Sequence, residues 1–319
     1  MDVGLLLQLL LVGLVTGSIY ALIALGYTMV YGVLELINFA HGDIFMIGTL
    51  VSIVVVGAFG ITDSSKVSLL PLIGIFIVAC LVSIIVCAIV GVLIERIAYR
   101  PLRNAPRLAP LISAIGVSLI LEDIGKFWKG YRPVLFPSVF PRISYHLGPV
   151  TITNIDILVL IVAVVLMLAL QTFVTQTNTG RAIRAVAQDR EAAALMGVNV
   201  DRTIAITFLI GAGLAGAAGF IYEIYFGNTI FSIGFTIGLT AFTAAVLGGI
   251  GNIVGAMLGG LLIGLIQALT TYIPDSNRGG FGLPNGGTAW APAVVFGILI
   301  LILVFRPTGL LGQQTPDKV

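Results

Sequence analysis

Asn38, His41 and Asp43 stand within six residues of one another, in the stretch Asn38-Phe39-Ala40-His41-Gly42-Asp43, at the join of two long apolar segments. An amide, an imidazole and a carboxylate at that spacing admit two readings. On a broken helix end they could line a translocation route, where side chains and free backbone amides meet a zwitterionic solute. In an ordinary helix-turn, Asn38 would cap the second helix, with His41 and Asp43 satisfied locally. The residues alone leave both open, and Glu35 shares the ambiguity. Catalysis has less support. His41 and His146 are the only histidines and lie far apart. No catalytic triad, zinc spacing or paired-histidine motif occurs, so neither a catalytic residue nor a metal site is expected. Cys80 and Cys87 read as packing groups rather than redox or metal ligands.

A second stretch carries charge. Residues 179–202 read TGRAIRAVAQDREAAALMGVNVDR and hold seven of the chain's 30 charged residues. From Arg181 to Met196 there is neither proline nor glycine, and Ala, Leu, Arg, Gln and Glu dominate, so the composition predicts one helix stopped by Gly197 at its C′ position. A free helix of that length is marginal in water, so it must dock. Spacing alone allows a protein partner or an interfacial helix whose arginines meet anionic head groups.

These residues need a scaffold, and the composition says which kind. Of 319 residues 58% are hydrophobic and 9% charged, with a mean hydropathy of +1.12. A soluble domain carries roughly 25% charged residues, so this is a polytopic membrane protein, not a nucleic-acid binder. Apolar segments run at 5–33, 39–59, 67–94, 108–125, 155–174, 204–223, 235–251, 253–273 and 288–305. A span needs roughly 20 residues. The fourth and seventh are short, and either could be re-entrant or a half-helix. The expected fold is all-α: a transmembrane bundle of eight or nine spans, some broken, forming a single domain over residues 1–319. The first segment lacks a basic n-region and a cleavage site and is expected to stay as a span.

Lys and Arg placement orients the bundle. With nine crossings and the N-terminus outside, ten of the 16 basic residues face the cytoplasm: Arg96, Arg100, Arg103, Arg107, Arg181, Arg184, Arg190, Arg202, Arg306 and Lys318. Lys66, Lys126, Lys129, Arg132, Arg142 and Arg278 fall outside. The 126–154 and 274–288 loops are then external, and 175–203 is a cytoplasmic loop. Glu122, Asp123 and Glu223 are expected to snorkel or to pair with a base such as Lys126. Tyr222, Tyr225, Phe226 and Asn228 read as an interfacial aromatic belt. Gly211, Ala215 and Gly219 repeat every four residues, as do Gly251, Gly255 and Gly259, with Gly260 and Gly264 adjacent. Such steps let helices cross closely, within one subunit or between two.

The Glu191-Ala192-Ala193-x-x-x-Gly197 spacing resembles the coupling loop of bacterial ABC-importer permeases. The usual I-x-L-P continuation is replaced by Thr203-Ile204-Ala205-Ile206-Thr207, which sets the chain apart from sugar and oligopeptide permeases. It is similar instead to the branched-chain and neutral amino-acid permeases, a branch that includes urea permeases. Residues 21–43 resemble the H-type subunit, residues 179–198 fit its loop pattern, and Arg306-Pro-Thr-Gly-Leu-Leu-Gly312 matches the R-P-x-G-L-x-G ending. The resemblance implies a bacterial inner-membrane subunit forming half of an amino-acid pathway. Its partners would be a second homologous permease, two ATP-binding subunits, an extracytoplasmic solute-binding protein and membrane lipid. It also implies that Arg181, Arg184, Asp189, Glu191, Ala192, Ala193 and Gly197 carry the coupling to the ATPase. No G-x-x-x-x-G-K-[ST] loop occurs in this sequence, so ATP and Mg would sit on the partner subunits and this chain would bind no cofactor. A urea importer remains the main alternative, and a stand-alone secondary transporter or channel the lesser one.

Overall fold

The computed structural model describes residues 3–60, 69–103, 105–106, 108–137, 140–274, 282–306 and 308–312. Lys66, Arg107, Arg278, Lys318 and Pro307 lie outside the described residues, as do residues 275–281 of the 274–288 loop.

Among the described residues the chain is all-α, with eleven α-helices: α1 (Val3–Leu34), α2 (His41–Ala58), α3 (Leu69–Ile94), α4 (Leu108–Lys129), α5 (Asn154–Gln176), α6 (Asn178–Gln188), α7 (Arg190–Leu195), α8 (Val200–Phe226), α9 (Ile233–Gly248), α10 (Ile253–Thr271) and α11 (Gly286–Phe305). A π-helical turn (Glu95–Tyr99) and a 3-10 turn (Arg100–Leu102) extend α3. Eight helices are long and apolar enough to cross a membrane: α1 to α5, α8, α10 and α11, with α3 counted together with its extension. The segment expected to be short at 108–125 is a full span, because the helix runs on past Glu122 and Asp123 to Lys129. Both acids pair with Lys126, at 3.5 and 2.9 Å, which keeps those charges satisfied at the helix end. The seventh segment does fall short: α9 has 16 residues and stops at Gly249, whose φ of +106° breaks the helix.

The chain forms two compact units. The first comprises residues 1–24, 142–167 and 240–319. In it, α1 and α10 cross through small residues. A Cβ on Gly17 would come 2.9 Å from the Gly260 carbonyl, and one on Gly264 would overlap Gly17 itself. Gly255 and Gly259 press on the carbonyls of Gly248 and Ala244, so the second glycine step closes the α9–α10 hairpin. Gly251 does not belong to that step. It is exposed, has φ +94° and precedes α10, so it supplies turn geometry that a side chain would strain. The C-terminal motif has a local purpose as well. Leu310 and Leu311 donate backbone N–H groups to the Leu247 and Gly248 carbonyls, at 2.8 and 3.0 Å, and thereby satisfy the open end of α9. Strands β2 (Ser144–Leu147) and β3 (Val150–Thr153) form a hairpin tied to α1 by Gln8, which both donates to and accepts from the Thr151 backbone.

The second unit comprises residues 25–141 and 168–239, and its core is α2, α3 and α8. Gly211, Ala215 and Gly219 lie on the buried face of α8. Gly211 meets Gly26 of α1, Ala215 is fully buried, and Gly219 lies against Phe45 and Thr49 of α2. Gly216, which sequence reasoning passed over, lets α8 approach the Ser83 carbonyl of α3. Ile77, Leu81, Ile85, Ile89, Leu93 and Ile97 recur every four residues along α3 and its extension, and all are exposed. A stripe of that length faces lipid or another subunit rather than water. Strand β1 (Val134–Leu135) pairs with β4 (Asn228–Thr229), which brings the far ends of α4 and α8 together. Arg103 and Asp201 join the near ends, at 2.5 Å. The two helices therefore cross in the same direction. Tyr222 is buried against Phe45 rather than exposed in a belt, because this part of α8 is the centre of the unit.

Candidate functional site

The charged island is built from two short helices. Residues 181–196 do not form the single helix that their propensities predict. Asp189 adopts an extended conformation (φ −157°, ψ 114°), ending α6 and starting α7. Its side chain accepts from the Glu191 and Ala192 amides, at 2.9 and 3.0 Å. Aspartate competes for its own backbone in this way, and here that local bond overrides the helix preference of its neighbours. Thr177 caps α6 and Asn199 caps α8 in the same manner. At the end of α7, Gly197 adopts φ +84°. The Val198 amide bonds to the Ala193 carbonyl and the Gly197 amide to that of Ala194, both at 3.0 Å, a Schellman closure.

This geometry sorts the island residues by direction. Ile183, Val186 and Ala193 are buried. Arg184 turns back onto the Val174 and Thr175 carbonyls and caps α5, while Arg181 bonds Asn178 beside it. Glu191 and Ala192 are exposed, and Leu195 and Met196 project furthest, 88% and 84% exposed. Both belong to the apolar surface that the sequence offers for docking, and their place just before the glycine stop puts them at the outer end of the helix. Arg190 points inward: its guanidinium donates to the Val33 carbonyl in the last turn of α1, at 2.9 Å. Burial lowers its pKa, and the nearby Glu35 carboxylate acts in the opposite direction.

Asn38, His41 and Asp43 lie at one buried joint. Glu35 has a left-handed φ of +55°, which ends α1 and turns the chain back toward α2. Asn38 does not cap α2. The residue preceding the helix is Ala40, which gives no side-chain cap, and Asn38 Oδ1 accepts instead from the Tyr99 hydroxyl at 3.1 Å. His41 fits against Gly26, where any Cβ would strike its ring, and packs edge-on to Tyr27 at 4.7 Å. Asp43 accepts a hydrogen bond from Ser118 Oγ of α4. Its other oxygen, Oδ1, is buried without a hydrogen-bond partner among the described residues and faces Gly234 in the first turn of α9. The Asn38 amide nitrogen is buried unpaired as well. Gly42 and Gly238 permit this proximity, since a Cβ on either would come 2.7 Å from the other's Cα. Polar atoms left unpaired in a dry core cost free energy, and in membrane proteins they concentrate at functional joints.

Two further features were not legible in the sequence. Glu95 is fully buried and receives Arg103 at 2.6 Å and Arg100 at 3.3 Å, and Arg103 continues to Asp201. Glu223 is also fully buried beside Thr229, and no basic side chain pairs with it among the described residues. The expectation that Glu223 snorkels or pairs with a base is therefore corrected: α8 is the central helix of its unit and turns this residue inward. Cys80 and Cys87 are free, and Cys87 packs in the core with its thiol toward the Ile44 carbonyl. Among the described residues no cluster of His, Cys, Asp or Glu could hold a metal.

Comparison with known proteins agrees with this arrangement. The family model for the branched-chain amino acid transport system permease component matches residues 9–304. The chain is 43% identical to the high-affinity branched-chain amino acid transport system permease protein BraD of Pseudomonas aeruginosa, over 98% of each chain. It is 42% identical to the corresponding protein LivH of Escherichia coli K12, over 98% of this chain and 97% of that one. The fructose import permease protein FruG of Bifidobacterium longum is 29% identical over half of this chain. No solved structure matches. A match over nearly the whole length, with eight apolar helices in the order the sequence requires, leaves one conclusion: this multi-pass membrane protein belongs to the branched-chain amino acid transport system permease component family.

Proposed function

We propose that the chain is the inner-membrane permease subunit of an ATP-driven importer for branched-chain amino acids, forming half of its pathway beside a second, homologous permease. The relatives named as high-affinity branched-chain amino acid permeases support the cargo. The observation that carries the mechanism is the shape of the island. Its two capped helices bury one face on this chain and hold Leu195 and Met196 out as an apolar tip, with Glu191 and Ala192 beside it. An exposed apolar tip on a chain without a phosphate-binding loop suits a groove on a separate ATP-binding subunit. Two such subunits would supply ATP and Mg, and an extracytoplasmic solute-binding protein would deliver the amino acid. Asn38, His41 and Asp43 form the joint that parts when the pathway opens, and the Asn38 amide and the Asp43 carboxyl are then met by the carboxylate and ammonium of the passing solute.

The test is reconstitution of the complete complex in proteoliposomes with labelled leucine, alanine or urea. ATP-dependent leucine uptake, with co-purification of the ATP-binding subunits that fails in a Leu195→Asp, Met196→Asp variant, is expected. Uptake driven by an ion gradient through this chain alone would overturn the reading, and urea uptake without leucine uptake would overturn the cargo.

A further inference from the structure

Arg190 carries its charged end out of the island to a membrane helix distant in sequence. Arg181 bonds Asn178 within α6, and Arg184 caps the end of α5, the helix that leads directly into the island. Arg190 instead crosses 157 residues of sequence to the Val33 carbonyl. The last carbonyls of a helix carry partial negative charge and lack intrahelical donors, so a guanidinium there is held by both hydrogen bond and dipole. Glu35, two residues on, adds a carboxylate on the same side.

What lies beyond Val33 gives this contact its meaning. Five residues later comes Asn38, bonded to the Tyr99 hydroxyl. Tyr99 ends the π-helical turn that begins at Glu95. Glu95 holds Arg103, and Arg103 holds Asp201 in the first turn of α8, the helix that follows the island. The contacts therefore close a ring: island, end of α1, the 35–40 joint, π turn, start of α8, island. Within this ring, Arg190 is the polar contact by which α7 holds the end of α1. Wider turns of this kind recur at functional sites in helices, and a left-handed Glu35 is a ready pivot.

We propose that Arg190 is a positioning residue for coupling: it transmits displacement of α7 to the C-terminal end of α1 and so to the Asn38–Asp43 joint. This rests on the reading that the island takes up the motion of an ATP-binding subunit. Docking belongs to the outward tip at Leu195 and Met196, and transmission to the inward arginine, so the two can fail separately.

The experiment uses the assembled transporter in proteoliposomes, measuring leucine uptake and ATP hydrolysis on the same preparation for Arg190→Ala, Arg190→Lys and Glu35→Gln. In Arg190→Ala the ATP-binding subunits stay bound and hydrolysis persists, while leucine taken up per ATP falls by about tenfold, a difference of roughly 1.4 kcal/mol. Arg190→Lys, which can still donate to the carbonyl, recovers most of the ratio, and Glu35→Gln lowers it less than Arg190→Ala. A merely structural role would lower yield and both activities together and leave the ratio alone. An unchanged ratio in Arg190→Ala overturns the proposal. So does loss of the ATP-binding subunits in that variant, since Arg190 would then act in docking. If Arg190→Ala fails to fold, a wild-type ratio in Arg190→Met, which keeps the length but cannot donate, overturns it equally. Failure of the docking reading shows elsewhere, as intact co-purification in the Leu195→Asp, Met196→Asp variant.

Discussion

Arg103 reaches back from the end of the 3-10 turn to within 2.6 Å of Glu95, a carboxylate with no exposed surface. A buried pair is costly to break from one side, because the remaining charge is left in the dry core. Arg103→Ala leaves Glu95 with Arg100 alone and is expected to cost about 1.5–3 kcal/mol. Asp201→Asn touches only the partly exposed end of the same network and is expected to cost under about 1 kcal/mol. Thermal unfolding of the two purified variants in detergent checks this, and equal losses would show that the Glu95 end is not the anchor.

Two neighbouring glycines of α8 should respond oppositely to alanine. A Cβ at Gly219 would come within 2.7 Å of the Phe45 carbonyl and 2.8 Å of the Thr49 amide, both backbone atoms that cannot move aside. At Gly213 the nearest atom is the Ile84 side chain at 3.4 Å, an ordinary contact. Gly219→Ala should separate α8 from α2 and lower the melting temperature. Gly213→Ala should be neutral or should gain up to about 1 kcal/mol from helix propensity. Parallel melts decide the matter.

Gly309→Ala is expected to release the C-terminal motif from α9. A Cβ there would come 2.5 Å from Gly249, and its φ of +75° disfavours any side chain. With Leu310 and Leu311 displaced, the Leu247 and Gly248 carbonyls lose their donors. Faster amide exchange at 310–311 than in wild type is the expected readout.

Asp189→Ala removes the side chain that starts α7 and should cost roughly 1 kcal/mol locally, whereas Asp189→Asn should retain most of the cap. In the complete complex, the alanine variant is expected to bind the ATP-binding subunits more weakly and the asparagine variant to bind them nearly normally. Gly197→Leu, forced into a left-handed conformation, should resemble the alanine variant. Quantitative co-purification distinguishes these outcomes.

At the joint, Asp43→Asn retains shape and replaces the carboxyl by an amide, while Ser118→Ala removes the donor to Asp43. A hydrogen bond is worth about 0.5–1.5 kcal/mol net, so each change is expected to alter leucine uptake by up to about tenfold with assembly preserved. Wild-type uptake in both would remove Asp43 from the pathway.

The sequence revealed most of the elements and little of their orientation. Hydrophobic runs located the spans because a bilayer imposes a minimum length, and the charged island stood out because apolar spans lie on either side of it. The four-residue glycine step on α8 appeared as small side chains at helical spacing, and the structure packs that face inside one unit. The break at Asp189 was missed because averaged propensity hides a single residue that bonds its own backbone. The inward turn of Arg190 and the burial of Glu95 and Glu223 could not be read, since which face of a helix meets the core depends on partners far away in sequence. Arg103 entered the positive-inside count as one charge among many, and only the fold gives it Glu95.

Helix α9 carries one more consequence. Sixteen residues rise only about 24 Å at 1.5 Å per residue, against a hydrocarbon core of about 30 Å. Its first turn begins beside Asp43, and the chain entering it from Gly227 to Ser232 is not α-helical. Such backbone is tolerated at depth only where protein or water covers it. On its own, α9 is therefore too short to cross that core, so the neighbouring helices have to shield the backbone at its ends.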